Sequence, residues 1–595
     1  MNRLNLGRTI TRRQLLTSAA LTLGAGVLAA CSASTPSPTA APKAAETSKP
    51  AAPPAPVATV APAQVAQPTP AAAGAKPVSL HAPEANIKKG GVLRVAGPST
   101  VAHYDFYAGV GWPMNLWMAY NGLVRLNLND GLNTIIPDLA DKWDISGDGK
   151  VYTFKLKDGV KFQDGTVLSS DDVVTTFKKV LDPPAGIITQ WKDYLNTVDK
   201  VEAVDKLTVK FTLKQPTAYF LEVLTGGSCQ NFGFPILSKK QIESNNYDLR
   251  KVNPMGTGPF RLKEMRANEK IIWERNPDYY DKDIPYVDGM ELIHVPQMTD
   301  RGTAVLAGQA DMTFNSSVDV WRQAQKSPDK YLTMRTPSLA SHTCHINNTR
   351  KPFDDKRVRR AMFLAVSRQN IFKAYQDQEP ITEGRWMPDA APYATPQAEL
   401  DKMPGYRPDK TQDVADAKKL LADAGFPDGK GFPTVELVTA TAAWAAEIMA
   451  PAYQEEFRKN LGINCKITLI ERSLLADNYV KGTYDILVET KFDNPIADPT
   501  PMWNAYLKTG GSQNVDKYSN PEFDAVLDQI NKETDKAKLK DLFNKGMDLL
   551  DQNPPFIITG FTQHSQVLAK YVKGLSVEKW RHSNWGRLDP VWLDK

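Results

Sequence analysis

The segment from Pro137 to Leu156 reads PDLADKWDISGDGKVYTFKL, and its pattern decides the local fold of this chain. Asp148-Gly149 is a dipeptide typical of tight turns, and apolar residues alternate with polar ones on both sides of it. A period of two places every second side chain on the same face of a strand. The segment is therefore predicted to form a β-hairpin that buries one face.

A short strand and a helix are predicted directly after this hairpin. Val160 to Phe162 has the composition of a strand, and the turn dipeptide Asp164-Gly165 follows it. Ser169 or Ser170, with Asp171-Asp172 behind it, is a typical helix start because such side chains accept hydrogen bonds from free backbone N–H groups. The hairpin, the strand and the helix would form one small α/β unit.

Strands and a helix are also predicted farther from the hairpin. Gly91 to Ala96 and Asp311 to Phe314 are predicted as strands, and the apolar spacing from Asn115 to Val124 favours a helix. Ser338 to Asn348 alternates as a strand that places His342 and Cys344 on one face and His345 on the other. A metal site at these three residues is less favoured than an ordinary strand face.

The second half of the chain alternates helices with strands. Helices are predicted from Ala415 to Gly425 and from Trp444 to Leu461, and strands from Thr434 to Thr439, Asn464 to Ile470 and Asp485 to Val488. Such alternation is typical of an α/β lobe.

Several short motifs follow one another in a characteristic order. They read PDLA at 137–140, KDGVKFQDGT at 157–166, NPMGTGPF at 253–260, ERNPDYY at 274–280 and PFDDKRVRRA at 352–361. In this order the motifs closely resemble the extracellular solute-binding proteins of the peptide and nickel ABC-transporter class. The resemblance covers nearly the whole chain after its N-terminal region.

Two of these motifs have a plain structural interpretation. Gly256 and Gly258 are predicted to allow a tight turn with positive φ, and no Gly-Lys-Ser or Gly-Lys-Thr follows that would make the turn a phosphate loop. Val358, Ala361, Leu364 and Ala365 recur at helical spacing. The run Arg357-Arg359-Arg360 is accordingly predicted to form the solvated face of that helix.

The resemblance implies an α/β fold of the periplasmic-binding-protein type, with two lobes joined by a hinge and an extra subdomain. The predicted division is a signal peptide at 1–30, a tether at 31–86, the first lobe at 87–125, 217–336 and 555–595, its extra subdomain at 126–216, and the second lobe at 337–554. A ligand would bind between the lobes, where clefts are mostly apolar with a few polar groups that orient the ligand.

The resemblance also implies site residues in the loop after the strand 485–488. In peptide-binding members this loop supplies an aspartate that pairs with the α-amino group of the ligand, which suits an ammonium removed from water. Asp493, beside Phe492, is the matching position, and Asp498 is the second choice. Lys491 stands where the family usually has part of a Gly-Trp pair, and it could instead hold Asp493 in an internal salt bridge.

Further candidates come from other loops and from large aromatic residues. Asn315 and Ser316 would present polar groups to the ligand backbone, or alternatively cap a helix before Trp321. Arg385 could bind a carboxylate in a bidentate way, and Trp386 could cover an apolar or sugar surface. Two more candidate walls are Trp112 and Trp444.

The N-terminus has the pattern of an export signal. Arg12-Arg13 precedes the apolar run from Leu15 to Val27, which is too short to span a bilayer permanently, and Leu28 to Cys31 reads LAAC. LAAC resembles a bacterial lipobox, which implies cleavage before Cys31 and acylation of its thiol, and the two arginines resemble a twin-arginine signal. From Ser32 to about Glu84 the chain is rich in Ala, Pro and Thr without aromatics, so we expect an extended tether.

Composition narrows the possible partners. The net charge is +5 over 595 residues, without basic runs interleaved with aromatics, so nucleic-acid binding is not expected. Beyond Cys31 three cysteines remain, Cys229, Cys344 and Cys465, of which one pair could bridge. Neither a cofactor nor a bound metal is predicted.

The predicted function is that of a lipid-anchored carrier on the outer face of the cytoplasmic membrane, in the cell envelope or periplasm. The family implies a monomer that captures a small solute, favoured as a peptide, and delivers it to a permease driven by a cytoplasmic ATPase. A sugar, an opine or a metal chelate is the alternative ligand. An anchored hydrolase is less favoured because the sequence has neither Gly-x-Ser-x-Gly nor His-Glu-x-x-His, and a signalling or adhesion receptor of the same fold stays open.

Overall fold

The computed structural model describes most of the chain from residue 86 onward, and its elements belong to a mixed α/β fold. The described residues are 86–98, 104–107, 116–127, 134–187, 189, 191–225, 234–375, 381–389, 391–440, 446–471, 481–493, 496, 498–575 and 588–595. No helix in these ranges is both long enough and apolar enough to cross a membrane.

Nineteen strands and thirteen α-helices are named here in chain order. The strands are β1 Val92–Gly97, β2 Val124–Leu126, β3 Ile135–Pro137, β4 Ala140–Ile145, β5 Val151–Leu156, β6 Val198–Asp205, β7 Thr208–Leu213, β8 Phe260–Arg266, β9 Lys270–Arg275, β10 Gly289–His294, β11 Met312–Thr313, β12 Tyr331–Ile346, β13 Ile381–Thr382, β14 Val435–Ala440, β15 Cys465–Ile470, β16 Ile486–Asp493, β17 Phe556–Ala569, β18 Val572–Lys573 and β19 Trp592–Leu593. The helices are α1 Ser170–Leu181, α2 Phe220–Leu224, α3 Lys239–Ser244, α4 Met298–Leu306, α5 Val318–Gln325, α6 Lys356–Ala365, α7 Arg368–Tyr375, α8 Gln397–Leu400, α9 Thr411–Asp423, α10 Ala446–Leu461, α11 Thr500–Tyr506, α12 Pro521–Ile530 and α13 Lys536–Gln552. Short 3₁₀ helices lie at Trp117–Ala119, Lys192–Leu195 and Pro427–Gly429.

Two long strands, β12 and β17, run through the middle of the molecule. They pair antiparallel from Tyr331 opposite Ala569 to His345 opposite Phe556. One sheet of eleven strands is built on them, in the order β15-β14-β16-β12-β17-β11-β1-β10-β9-β8, with β13 added to β17. In this sheet β14, β15 and β16 therefore join the strands of the first half through this one pair.

The buried apolar residues form two large cores, one at each end of the β12–β17 pair. Met334 and Leu568 belong to the first core, whereas Cys344 and Phe556 belong to the second. Between the cores the register of the pair shifts, from Pro337 to Ser341 and again at His342. Such bulges bend a strand and increase its twist. The fold is thus two-lobed. In the described part of the chain the lobes share one sheet contact, the β12–β17 pair, and this pair bends at its centre.

The hairpin predicted from the sequence is confirmed within a separate four-stranded sheet, β4-β5-β7-β6. Ile145 pairs with Tyr152, and Gly149 adopts φ +69°, as a tight turn requires. The predicted helix start is also confirmed, because Ser169 and Asp172 form a reciprocal capping box at the beginning of α1.

Two local predictions from the first half are wrong. The stretch from Asn115 to Val124 is described from residue 116, and it contains only the 3₁₀ turn Trp117–Ala119 before strand β2 begins at Val124. Its apolar spacing reflects burial on all sides, since Leu116 to Tyr120 are all buried. Val160 to Phe162 is not a strand either, because its ladder is limited to one bridge between Lys161 and Val167.

The predicted role of the glycine turn is corrected as well. Neither Gly256 nor Gly258 has positive φ among the described glycines. Instead, a Cβ atom at Gly258 would overlap the backbone of Ala119 and Tyr120, and one at Gly256 would overlap the Ala119 carbonyl and the Tyr120 ring. These glycines therefore permit a close approach of two backbones rather than an unusual turn.

The arginine run on α6 is solvated only in part. Arg357 is exposed and pairs with Asp355 at 2.6 Å. Arg359 is 4% exposed and donates to the backbone carbonyls of Phe353 and Pro554, which makes the predicted solvated role wrong for this residue. Arg360 is half-buried and lies over the ring of Phe363 at 5.1 Å. One of these carbonyls lies before α6 and the other after α13, and buried carbonyls need donors that no sequence pattern reports.

We expect Gly258→Ala to lower the free energy of unfolding by about 1–3 kcal/mol, the usual cost of inserting atoms into a packed site. Gly147→Ala is the matched control, because its Cβ would meet nothing within 4 Å. Urea denaturation of both variants measures the effect. Equal stability of the two variants would refute the close-approach explanation.

Candidate functional site

The strand predicted to end at Val488 continues to Asp493, which brings the candidate loop to the junction of the lobes. Near its end β16 pairs with β12, with Phe492 opposite Ser341 and Asp493 opposite Ala340. Ala340 and Ser341 lie in the bent part of β12 between the two cores. The backbone of Phe492 and Asp493 therefore stands at the hinge, while their side chains and that of Lys491 lie outside the described part.

The loop after β16 reaches across the junction. Ile496 is fully buried and packs with the apolar core of the first lobe, although the strand before it belongs to the second lobe. Asp498 is 8% exposed, and its Oδ1 accepts the backbone N–H of Thr500 at 2.8 Å, at the start of α11. Asp498 thus orders the beginning of a helix while its carboxylate stays within the junction.

The Asp498 carboxylate influences two tyrosines electrostatically, one in each lobe. Burial raises the pKa of Asp498, and the hydrogen bonds from Thr500 oppose this shift. Burial raises the pKa of Tyr219, in the first lobe, and the charge of Asp498 raises it further. The same two causes raise the pKa of Tyr393, in the second lobe, with a smaller effect from Glu222. Asp498, Tyr219 and Tyr393 are all buried, and the charge of Asp498 acts on a tyrosine of each lobe.

A direct hydrogen bond also joins the lobes close to this group. Gln215 Nε2 donates to the backbone carbonyl of Asn531 at 3.1 Å. Asn531 follows α12 and exchanges side-chain hydrogen bonds of 2.7 and 3.0 Å with Asn504, on α11. The lobes are therefore in contact at this edge, in a closed arrangement.

Arg385 and Trp386 lie in the core of the second lobe. Arg385 Nε donates to Asp551 at 2.8 Å, its Nη2 pairs with Asp548, and its side chain is only 4% exposed. Trp386 is fully buried, donates to Asp551 at 2.8 Å and stacks on Phe363. Both side chains have internal partners and little exposed surface, and their contact with a ligand stays a prediction.

Asn315 and Ser316 are buried between β11 and α5. Arg301 donates to the side-chain oxygen of Asn315, and the Asn315 amide lies 3.3 Å from the sulfur of Met298. The backbone N–H of Ser316 donates to Ser565 at 2.7 Å, on the crossing strand β17. Their polar groups are engaged inside the first lobe, and their contact with a ligand also stays a prediction. Trp112, Trp444 and Cys31 lie outside the described residues.

Three residues of the junction were not found by sequence reasoning. Gln215 and Tyr219 carry no recognisable signal, because they lie in an ordinary stretch between β7 and α2. Tyr393 stands in the proline-rich loop that was already considered for Arg385, and its aromatic ring was the available signal.

A relay that resembles a hydrolase triad is present but enclosed. His345 lies 2.9 Å from the carboxylate of Asp516 through Nδ1 and 2.9 Å from the Thr343 hydroxyl through Nε2. All three residues are buried in the second core, with Thr343 and His345 fully so. A substrate could not reach this hydroxyl, so the relay has a structural role.

The two described cysteines, Cys344 and Cys465, are free thiols, and Cys229 lies outside the described residues. Burial raises the pKa of the Cys465 thiol to about 12. A thiol of such high pKa is a poor nucleophile at neutral pH.

Sequence comparison places these features among proteins of known class. The family described as bacterial extracellular solute-binding proteins, family 5 Middle, matches residues 134–514. The chain is 26% identical over 454 residues to the periplasmic oligopeptide-binding protein OppA of Salmonella typhimurium, covering 74% of this chain and 81% of that protein. It is 27% identical over 446 residues to the glutathione-binding protein GsiB of Escherichia coli, covering 74% and 82%.

Solved structures share the fold. DppA of Helicobacter pylori, in complex with the peptide STSA, superposes with a TM-score of 0.71 at 24% identity, covering 85% of this chain and 99% of that one. AgaA of A. tumefaciens, in complex with agropinic acid, gives 0.70 at 22% identity with the same coverage. The two-lobed architecture is thus found with ligands of different chemistry.

We expect the Asp498→Asn variant to depend less on pH than the natural protein. Because folding raises the pKa of Asp498, the folded state binds the proton more tightly, and the free energy of unfolding falls as pH rises from the ordinary value of 3.8 through the raised one. Asparagine keeps an acceptor for Thr500 and cannot ionise. The free energy of unfolding of the variant minus that of the natural protein should therefore rise with pH in urea titrations between pH 4 and 7.

Asp409→Asn is the matched control, because Asp409 accepts the same bonds from Thr411 at the start of α9, which lower its pKa. The stabilisation by ionised Asp409 is present above the ordinary pKa and is lost as pH falls. The free energy of unfolding of Asp409→Asn minus that of the natural protein should therefore fall as pH rises. The same sign for both variants would contradict the enclosed position of Asp498.

We expect Arg385→Met to lower the free energy of unfolding of the ligand-free protein by about 3–5 kcal/mol, because it leaves the Asp551 carboxylate buried without its cation. The double variant Arg385→Met with Asp551→Leu should recover part of this loss. Urea denaturation measures both. Unchanged stability combined with lost ligand affinity would support Arg385 as a ligand contact.

Proposed function

Because the chain belongs to the bacterial extracellular solute-binding proteins of family 5, we propose that it captures a peptide or peptide-like solute between its lobes and delivers it to an ABC importer. Membership makes the chain a solute-binding protein rather than an enzyme. The finer parts of the proposal concern the ligand, the closing motion, the anchor and the partner.

The carrying observation is the position of the β16 loop. Its first residues stand at the bent centre of the β12–β17 pair, and its last ones, Ile496 and Asp498, are buried in the junction between the lobes. A hinge needs a few residues that absorb the rotation, and the register shifts supply them. Opening the lobes would expose the loop, and closure around a solute would enclose it.

A peptide is supported as ligand by the relatives, since OppA binds oligopeptides and GsiB binds glutathione according to their names. We propose Asp493 as the carboxylate that pairs with the α-amino group, with Asp498 as the second candidate. The position of Asp493 at the hinge end of β16 supports this role, because a ligand in the junction would lie next to it. An opine, a sugar or a metal chelate is the alternative outcome.

The proposed carrier works outside the cytoplasm and depends on a partner for energy. The sequence has no Gly-x-x-x-x-Gly-Lys-Ser or Gly-x-x-x-x-Gly-Lys-Thr loop, so ATP hydrolysis would be supplied by a cytoplasmic ATPase bound to the permease. Cleavage before Cys31 and acylation of its thiol would hold the chain to the outer face of the membrane. The stretch from Ser32 to Glu84 would serve as a tether.

The decisive experiment is mass spectrometry of the solute that co-purifies with the natively folded protein, followed by calorimetric titration of the emptied protein with that solute. Stoichiometric binding of an intact peptide supports the proposal. Turnover of the peptide, or recovery of only non-peptide solutes, refutes it.

We expect Asp493→Asn to weaken binding of a peptide with a free α-amino group by at least tenfold, because a buried ammonium loses its charged partner. Binding of the same peptide with an acetylated amino group, already weak, should not change. Asn514→Asp, which alters charge on the second lobe, is unsuitable as a control because Asn514 is buried. Asp409→Asn is a suitable control, because Asp409 is exposed and distant in the chain. Equal affinities of Asp493→Asn and this control for the peptide would contradict the role proposed for Asp493.

A further inference from the structure

The end of the body at which the tether joins is rich in lysines. We call it the basic pole, and its lysines are Lys88, Lys89, Lys330, Lys570, Lys573 and Lys595. All are exposed except Lys573, which is partly buried. Lys88 and Lys89 are the second and third residues after the predicted tether, which ends at residue 86.

Contacts between distant parts of the chain bring these lysines together. The backbone N–H of Lys570 donates to the carbonyl of Lys330 at 2.8 Å. Lys573 pairs with Trp592 in the two-stranded sheet β18–β19, and the Asp594 N–H that follows donates to Tyr571 at 2.7 Å. Asp594 in turn binds the ammonium of Lys88 at 2.8 Å. Four segments of the sequence thus contribute to one surface.

The carboxylates at this pole are mostly engaged. Asp594 is paired with Lys88, and Asp288 is paired with Arg275 at 3.1 Å. Buried Asp311 binds Arg94 at 2.8 Å and Lys595 at 3.4 Å. The exposed Asp329 adjoins Lys330 in the chain.

Four lysines of the pole have no such partner. In the described part of the chain none of Lys89, Lys330, Lys570 and Lys573 forms an ion pair. Their ammonium groups are therefore available to an external anion.

We propose that the basic pole binds the anionic headgroups of the membrane on which the chain is anchored. This inference rests on the anchor in the proposed function, and it makes the body lie against the membrane by its tethered end. An extended proline-rich tether of about 50 residues could otherwise let the body move on the order of 150 Å away. A lipid chain combined with a polybasic surface is a known arrangement for stable membrane association.

Electrostatics gives the expected strength. A lysine near an anionic surface increases membrane partition about fivefold, and the effect fades beyond about 8 Å at physiological salt. Four unpaired lysines on one surface would together increase the partition of the protein onto an anionic membrane by on the order of 10²-fold or more.

The test uses the chain from Ser32 to Lys595, which lacks the acylated cysteine but keeps both apolar cores complete, because all their residues lie between 93 and 593. Co-sedimentation is measured with vesicles of phosphatidylcholine alone and of phosphatidylcholine with about a third phosphatidylglycerol. We expect binding to the anionic vesicles, no binding to the neutral ones, and release at high salt.

A fourfold variant, in which Lys89, Lys330, Lys570 and Lys573 are each changed to Gln, should lose binding to anionic vesicles by on the order of 10²-fold. The matched control changes four exposed lysines of the second lobe to Gln, namely Lys418, Lys419, Lys430 and Lys459. The control should keep its binding. Equal loss in both variants, or no binding by the natural chain, overturns the proposal and would leave a permease surface as the other partner for this pole.

Solute titration of the fourfold variant separates this inference from the proposed function. Unchanged affinity for solute together with lost vesicle binding supports both. If the natural chain binds solute normally but does not bind any vesicles, the basic pole alone is refuted.

Discussion

The antiparallel pairing of β12 with β17 is the constraint on which the rest of the structure depends. Residues 331–346 and 556–569 are separated by more than two hundred positions, yet their backbones hydrogen bond along almost their full length. Closing so long a loop costs conformational entropy that only many cooperative contacts can offset. Each strand also contributes buried side chains to both cores, so the pair determines where each lobe begins.

The bulges in this pair reconcile a continuous sheet with two bodies that can move. A regular ladder would hold the lobes rigidly, whereas the register shifts, which leave residues 338–340 of β12 and Thr559 of β17 out of the ladder, let the strands bend without breaking the bonds on either side. The same place receives the end of β16. A loop that starts at the hinge changes its exposure strongly for a small rotation, which suits a binding loop.

Charge is handled differently inside the lobes and between them. Arg385 is paired with Asp551 and Asp548 within the second lobe, and Arg359 donates to backbone carbonyls, so both guanidinium groups have internal partners. Asp498, by contrast, is buried at the junction, where its charge raises the pKa of Tyr219 and Tyr393, and it forms no ion pair in the described part of the chain. A carboxylate in that situation is costly when charged and would be favoured by a cationic ligand. At the other end of the body the lysines of the basic pole are exposed, where hydration makes unpaired charge inexpensive.

The sequence by itself determined the local elements and the family. The hairpin at Asp148-Gly149, the capping box at Ser169 and the alternation of helices and strands after Ala415 depend on neighbours in the chain, so periodicity and turn residues predicted them. Long-range features were decided only by the tertiary structure. The close approach at Gly258, the internal partners of Arg385 and the meeting of Tyr219 with Asp498 join residues far apart in sequence, and one side chain does not reveal which distant group will lie against it. Arg385 and Trp386 have the chemistry of a ligand site, and only the structure shows that packing also gives both side chains internal partners in the second lobe.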